Sequence, residues 1–327
     1  MSRTRKAVAI KQLSVACLAL ACGSVCAQDN FPNKPIRMLV PFSAGSATDF
    51  FARAIGQKMA ESWTQQVVVD NRPSAGGVIA SELLLNATPD GHTLMMVSIG
   101  HAVNASLYSK LPYDTVRDFA GVTLVADVPN VLVATPALGF KSVRDLIDAA
   151  KAKPGQLNYG SAGVGSGTHM NGEQFKLAAN INVVHVPFKG TPEALTNTIS
   201  GSVQYFFAPI TAAVPLVKSG KVTGLGVTTR ARSPVLPDLP TIADSGLPGF
   251  DFNLWTGLVG PAKMPKDIKE KIAREVARIL SLADVKERLL VQGATPHAMP
   301  PAQFDAFIKG EVERLAKVVK ASGARAD

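Results

Sequence analysis

Pro41-Phe-Ser-Ala-Gly-Ser-Ala-Thr-Asp49 and Asn158-Tyr-Gly-Ser-Ala-Gly-Val-Gly-Ser-Gly-Thr-His169 decide the fold of this chain. Each follows an apolar run that reads as a strand, 36–42 and 157–159, and precedes a segment that reads as a helix, 48–61 and 168–179. Each is rich in glycine and hydroxyls, and neither contains Arg, Lys or Cys. A strand-to-helix turn of this kind directs several backbone N–H groups and the positive end of a helix dipole at one spot. Two of them, far apart in the chain, predict two domains that each provide half of an anion site. That arrangement suits grasping a carboxylate better than reacting with it.

Outward from the first turn, 66–70 reads as a strand, Asn71-Arg-Pro-Ser-Ala-Gly-Gly77 as a turn before a helix to about 87, and 93–98 as a third strand after the turn Thr88-Pro-Asp-Gly91. The β-α-β-α-β rhythm predicts an α/β fold with mostly parallel sheet and helices on both faces. Two apolar runs, 119–126 and 130–135, are interrupted by Asp127-Val-Pro129. Beyond them the pattern predicts helices over 143–151, 192–199 and 212–218 and strands over 183–187, 203–207 and 222–228, around the second turn. Pro234, Pro237 and Pro240 make 231–240 a stiff linker. A strand over 254–260 and helices over 266–282, 285–292 and 301–320 are too little for a domain of their own, so they are expected to complete the first. The chain then crosses between domains near 127–130 and 229–235, which makes a hinge. The expected lobes are 28–128 with 233–327, and 129–232. No internal repeat is legible.

Residues 1–27 read as an export signal: Arg3, Arg5, Lys6 and Lys11 precede an apolar stretch from Leu13 to about Val25, and Val25-Cys26-Ala27 offers a cut before Gln28. A lipoprotein cut at Cys22 fits less well with Ala19-Leu20-Ala21 ahead of it. All three cysteines, Cys17, Cys22 and Cys26, fall in this leader, so the mature chain is expected to have no disulfide, thiolate metal site or Cys nucleophile. Without the four basic leader residues, 34 Lys and Arg become 30 against 25 Asp and Glu, a net charge of +5 in place of +9. No dense basic run remains, which argues against nucleic acid, while a mild positive field favours anionic solutes.

Catalytic templates fail. Ser161 and Ser166 lack the Gly-x-Ser-x-Gly frame of a nucleophile elbow, since Tyr159 and Val164 stand two residues ahead of them. Gly163-Val-Gly165 begins a dinucleotide fingerprint that Thr168 breaks, and no phosphate-loop Lys motif occurs. Among His92, His101, His169, His185 and His297, only His169 with Glu173 has ligand spacing. A backbone-bonded His169 at a helix start is the better reading, and no metal, cofactor or enzyme activity is expected. What remains is binding. Gly45 permits a tight bend beside the hydroxyls of Ser43, Ser46 and Thr48; Ser161, Ser166 and Thr168 repeat the pattern among Gly160, Gly163, Gly165 and Gly167. Asp49 reads first as a cap for its own helix. Aromatic residues are 6% of the chain, which disfavours a sugar-stacking cleft; Phe42, Tyr159 and Trp255 are candidates for its wall or for the core.

The order of motifs resembles the solute-binding receptors of tripartite tricarboxylate transporters, also called Bug receptors. The resemblance runs through Pro35-Ile-Arg-Met-Leu-Val-Pro-Phe42, Asp70-Asn-Arg-Pro-Ser-Ala-Gly-Gly77, Pro89-Asp-Gly-His-Thr-Leu94, 157–169, His185-Val-Pro-Phe-Lys-Gly190, Leu236-Pro-Asp-Leu-Pro-Thr241 and Gly246-Leu-Pro-Gly-Phe250. It implies a two-lobed periplasmic binding protein of type II, monomeric, closing on a small organic carboxylate and delivering it to membrane permease subunits. The implied ligand loops comprise Phe42, Ser43, Ala44, Gly45, Ser46, Ala47, Thr48 and Asp49 in the first turn. In the second they comprise Ser161, Ala162, Gly163, Gly165, Ser166, Thr168 and His169, with Ser98 and Pro209 as lesser contributors. Ala44-Gly45-Ser46 departs from the family's Pro-Gly-Gly, which implies a narrower or more polar pocket. Gln204 and Pro209 stand where the family often has an acid and an Asp or Asn. A sensory protein that passes the same ligand's signal to a kinase would carry the same residues.

Overall fold

The computed structural model describes residues 31–326, so the leader expected over 1–27 lies outside the described residues. Eleven strands, β1 (Ile36–Val40), β2 (Val67–Asn71), β3 (Thr93–Ser98), β4 (Phe119–Val128), β5 (Asn130–Ala134), β6 (Asn158–Ser161), β7 (Val184–Pro187), β8 (Tyr205–Pro209), β9 (Thr223–Val227), β10 (Leu254–Pro261) and β11 (Thr295–Pro296), form two sheets among the described residues. The larger has the order β11-β4-β10-β3-β1-β2 and the smaller β7-β6-β8-β5-β9. The α-helices are α1 (Ala47–Trp63), α2 (Val78–Leu85), α3 (Ile99–Leu107), α4 (Val143–Ala152), α5 (Gly167–Ala179), α6 (Thr191–Ser200), α7 (Ile210–Lys218), α8 (Lys266–Ser281), α9 (Ala283–Val291) and α10 (Pro301–Ser322).

Both sheets follow one plan. In the larger, β1 pairs in parallel with β2 and β3, and β10 runs antiparallel beside β3. In the smaller, β6 pairs in parallel with β7 and β8, and β5 runs antiparallel beside β8. β1 and β8 each lie between two neighbouring strands and are covered on both faces, which is why Ile36-Arg-Met-Leu-Val40 and Tyr205-Phe-Phe-Ala-Pro209 are nearly unbroken apolar runs. Repetition of the plan places the carboxyl ends of β1, β3, β6 and β8 in equivalent positions, each leading into a helix: α1, α3, α5 and α7. Such strand ends are where open α/β sheets form crevices.

The chain leaves the larger sheet after β4 and enters the smaller at β5 with only Pro129 between them. The return is longer. Thr241 bridges Val227 of β9, Ile242 donates its N–H to the Val227 carbonyl at 2.9 Å, and Phe252 donates to Thr228 at 3.0 Å. The proline-rich stretch therefore stays beside the smaller sheet until β10, further than the 229–235 crossing that its composition predicts. β10 then inserts between β4 and β3, and α10 packs on both α3 and α5. Helix α3 was not predicted: Ile99-Gly-His-Ala-Val-Asn-Ala-Ser-Leu107 follows β3 directly and is buried on most sides, so it carries neither a turn signal nor an amphipathic stripe.

Candidate functional site

The two signature turns are built alike. Ser46 is the N-cap of α1 and accepts the Asp49 N–H on Oγ at 3.3 Å; Ser166 is the N-cap of α5 and accepts the His169 N–H at 3.2 Å. Each cap hydroxyl also meets the threonine two residues on, Ser46 with Thr48 at 3.3 Å and Ser166 with Thr168 at 3.0 Å. The glycine before each cap has a left-handed φ, +80° at Gly45 and +77° at Gly165, and turns its N–H back onto the helix. Gly45 donates to Asp49 Oδ2 at 2.9 Å and Gly165 to His169 Nδ1 at 3.2 Å. With the N–H groups of Asp49 and His169 capped, the first N–H groups of α1 and α5 have no intrahelical acceptor. Replacing Ser166 by alanine is expected to cost about 0.5–2 kcal/mol of stability, the usual size of a lost cap. Urea denaturation checks it, and an unchanged midpoint contradicts the capping role.

Asp49 and His169 are held, not offered. Asp49 is buried; burial opposes its ionisation, but Arg53, the Gly45 N–H and Asn71 outweigh that and keep its carboxyl below the usual value. Arg53 lies 2.9 Å from Oδ1, and Asn71 Nδ2 bonds both Asp49 Oδ1 and the Phe42 carbonyl at 3.0 Å. His169 is pushed down to about 4 by burial, with Glu173 opposing and Lys176 assisting. Its ring stacks on His185 at 4.0 Å, and His185 is pushed down to about 3 by burial, His169 and Lys176. The Gly165 N–H on Nδ1 fixes the His169 proton on Nε2, which lies 3.9 Å from Glu173. Glu173 is already engaged by the Tyr159 hydroxyl at 2.6 Å and by Lys176 at 2.9 Å.

Between the turns lies a cavity of about 40 Å3. Phe42, Ser46, Ala47, Thr48 and Ser98 line it from the larger sheet's side, and Ala162, Ser166, Thr168 and Pro209 from the smaller. The other predicted residues do not border it. Ala44 and Gly45 are exposed, and Ser43 faces Gly190 instead. Asp49, Gly165 and His169 hold the turns as described. Ser161 is fully buried, its Oγ taking the Gly163 N–H at 3.1 Å and meeting His185 Nε2 at 2.6 Å. Gly163 faces a different, outer cavity. Of the aromatic candidates, Phe42 and Trp255 reach the wall, whereas Tyr159 is buried against His185 and Tyr205. Gly167 of the second turn also lines the cavity, and Ile99, Val128, Thr191, Leu254 and Thr256 line it without having been predicted. Only Thr191, placed just after Gly190, had a usable signal, as a hydroxyl at the start of a helix.

None of these wall residues is charged. The site offers helix N-termini, six threonine and serine hydroxyls at positions 46, 48, 98, 166, 168 and 191, a seventh at Thr256, and apolar surface. Such donors can hold an oxyanion without burying a counter-charge on the protein side. Among the described residues no group of three or more His, Cys, Asp or Glu is arranged to hold a metal ion, and no helix is long and apolar enough to cross a membrane.

Two sheets of one plan meeting at paired strand-to-helix turns define a periplasmic binding protein fold. The chain belongs to the tripartite tricarboxylate transporter family of receptors, whose family model matches residues 51–324. It is 34% identical over 299 residues to protein BugT of Bordetella pertussis, with 91% of this chain and 92% of BugT covered. A solved Rhodopseudomonas palustris protein with adipate superposes with a TM-score of 0.88 at 33% identity, covering 90% of this chain and 99% of that one. MatC of the same organism, with bound malate, superposes with a TM-score of 0.83 at 33% identity, covering 88% and 100%.

Proposed function

We propose that this protein is a periplasmic solute receptor that captures a small organic carboxylate between two lobes and delivers it to the membrane permease of a tripartite transporter. The observation that carries the reading is the pairing of the α1 and α5 N-termini, one from each sheet, across an uncharged cavity. Adipate and malate in related structures support a carboxylate as the ligand class. Lobes of 34–128 with 253–326, and of 129–252, fit this reading, and the bonds of 240–242 and Phe252 to the end of β9 and to Thr228 support a second hinge at 252–254. The ligand's carboxylate takes hydrogen bonds from the N–H groups at the start of both helices and from the hydroxyls of Ser46, Thr48, Ser166 and Thr168. Contact with both helix starts stabilises the closed form over the open one, since only the closed form offers both at once.

A thermal-shift screen of residues 28–327 against mono-, di- and tricarboxylates tests this. A ligand at a hundred times its Kd adds about 2.7 kcal/mol, which raises Tm by several degrees. No shift with any carboxylate, in protein shown by native mass spectrometry to be free of bound solute, refutes the reading. Delivery to a permease predicts that deleting the gene abolishes uptake of the solute identified. Uptake that survives deletion removes the transport role.

A further inference from the structure

Beside the inner cavity lies an outer one of about 490 Å3, against about 40 Å3 inside. Its walls come from both sheets: Pro73 and Ser74 follow β2, Gly163 and Val164 follow β6, and Phe188 and Lys189 follow β7. Ala162 borders both cavities. Near their boundary Ser43 approaches Gly190 so closely that any Cβ at 190 would overlap the serine hydroxyl.

Size and charge differ between the two. A single water needs roughly 10–15 Å3 on the same scale, so the inner cavity has room for a carboxylate and a short stem. A longer ligand has a roomy route past Ala162, which borders both cavities. The inner wall carries no charge, whereas Lys189 borders the outer cavity, exposed, and its ammonium makes no ion pair among the described residues. The one acid on that wall, Glu193, is turned to the Lys189 backbone N–H, which it accepts at 3.0 Å.

We propose that the outer cavity is a second compartment of the binding cleft, which takes the far end of an extended dicarboxylate and pairs its second carboxylate with Lys189. The inference rests on the inner cavity being the site of the first carboxylate. Because Pro73 and Ser74 close the compartment from the opposite sheet, it is complete only when the two sides are together. An unpaired ammonium at the rim of this compartment then favours a dianion over a monoanion of equal length, and salt weakens that preference.

Calorimetry with adipate and hexanoate, which share a six-carbon chain and differ by one carboxylate, tests it on the wild type and on Lys189→Met. The wild type is expected to prefer adipate, and Lys189→Met to lose about five- to tenfold in adipate affinity with hexanoate unchanged. Unchanged adipate affinity in Lys189→Met, or an equal fall for both acids, overturns the proposal. So does a wild type that binds short monocarboxylates but neither six-carbon acid. Loss of uptake with unchanged binding also overturns it and gives the cavity to a protein partner. If no carboxylate binds the wild type at all, the reading of the inner cavity has failed as well, which separates the two failures.

Discussion

Gly167→Ala is expected to leave the protein folded and to weaken carboxylate binding by about 5- to 150-fold. Gly167 is the first residue of α5, and a Cβ there would overlap Ile99 Cγ2 and lie 2.5 Å from Leu254 Cδ2. Both neighbours belong to the other sheet's side: Ile99 opens α3 after β3, and Leu254 opens β10. Leu254 can rotate away, but Ile99 is β-branched, fully buried and stiff at χ1. The clash therefore falls on the closed arrangement, at the 1–3 kcal/mol that overpacking typically costs, or about 5- to 150-fold in Kd. It does not fall on the smaller lobe itself, where alanine is a better helix former than glycine. Gly310→Ala is the control: it also lies in a helix, with nothing within 4 Å of its Cβ position, and should bind ligand as the wild type does. Calorimetry with the best ligand of the thermal-shift screen, beside a Tm for each variant, decides it. Wild-type affinity in Gly167→Ala contradicts closure across this contact.

The same residue marks where reading the sequence stops. Hydroxyls and glycines in 41–49 and 158–169 are visible as strand-to-helix chemistry, and the apolar runs at 36–40 and 93–98 are visible as strands, because both signals are local. Leu254 and Thr256 reach the cavity only through the register of β10 against β3 and β4, and Ile99 only because its helix follows β3 there, which no local pattern encodes. Ser161 lies away from the cavity wall for the opposite reason. Its place in the turn matches that of a ligand contact, yet β6 and β7 pair so that His185 stands opposite Tyr159 and closes over the hydroxyl. The repeated plan of the two sheets was likewise invisible. It is a repeat of topology and of capping geometry, Ser46-Ala-Thr-Asp49 against Ser166-Gly-Thr-His169, in which an acid and an imidazole do the same backbone-holding task. The Ser-x-Thr pairs at 46/48 and 166/168 are legible, but Asp49 and His169 share only the acceptor function, so residue identity does not reveal that part of the repeat.

Buried neutral histidines, His169 in the turn among them, are expected to make the protein acid-labile. His101 and His169 are held down to about 4 and His185 to about 3, burial being the first cause in all three, against 6.5 for a free histidine. Their native pKa values lie below the unfolded one, so between pH 6.5 and about 4 the unfolded chain binds more protons than the native protein. Stability from these groups is therefore full above pH 6.5, falls as pH drops through that window, and is gone below the native values. At about 1.4 kcal/mol per pKa unit, His101 and His169 each withdraw on the order of 3 kcal/mol. Asp49, held below its ordinary value, adds to the loss below about pH 4 in the same direction. His169 has a second effect, since a proton on Nδ1 removes the acceptor of the Gly165 N–H and frees the turn that presents Ser166 and Thr168. Tm is thus expected to fall steeply from pH 6.5 to about 4, with ligand affinity falling only toward the end of that range, where the imidazole of the folded protein takes up its proton. In His169→Gln, which keeps an acceptor but cannot take the proton, both slopes should be shallower. Scanning calorimetry and isothermal titration across that range measure them. A flat Tm, or a His169→Gln profile that matches the wild type, would show that the imidazole is not held neutral against the turn.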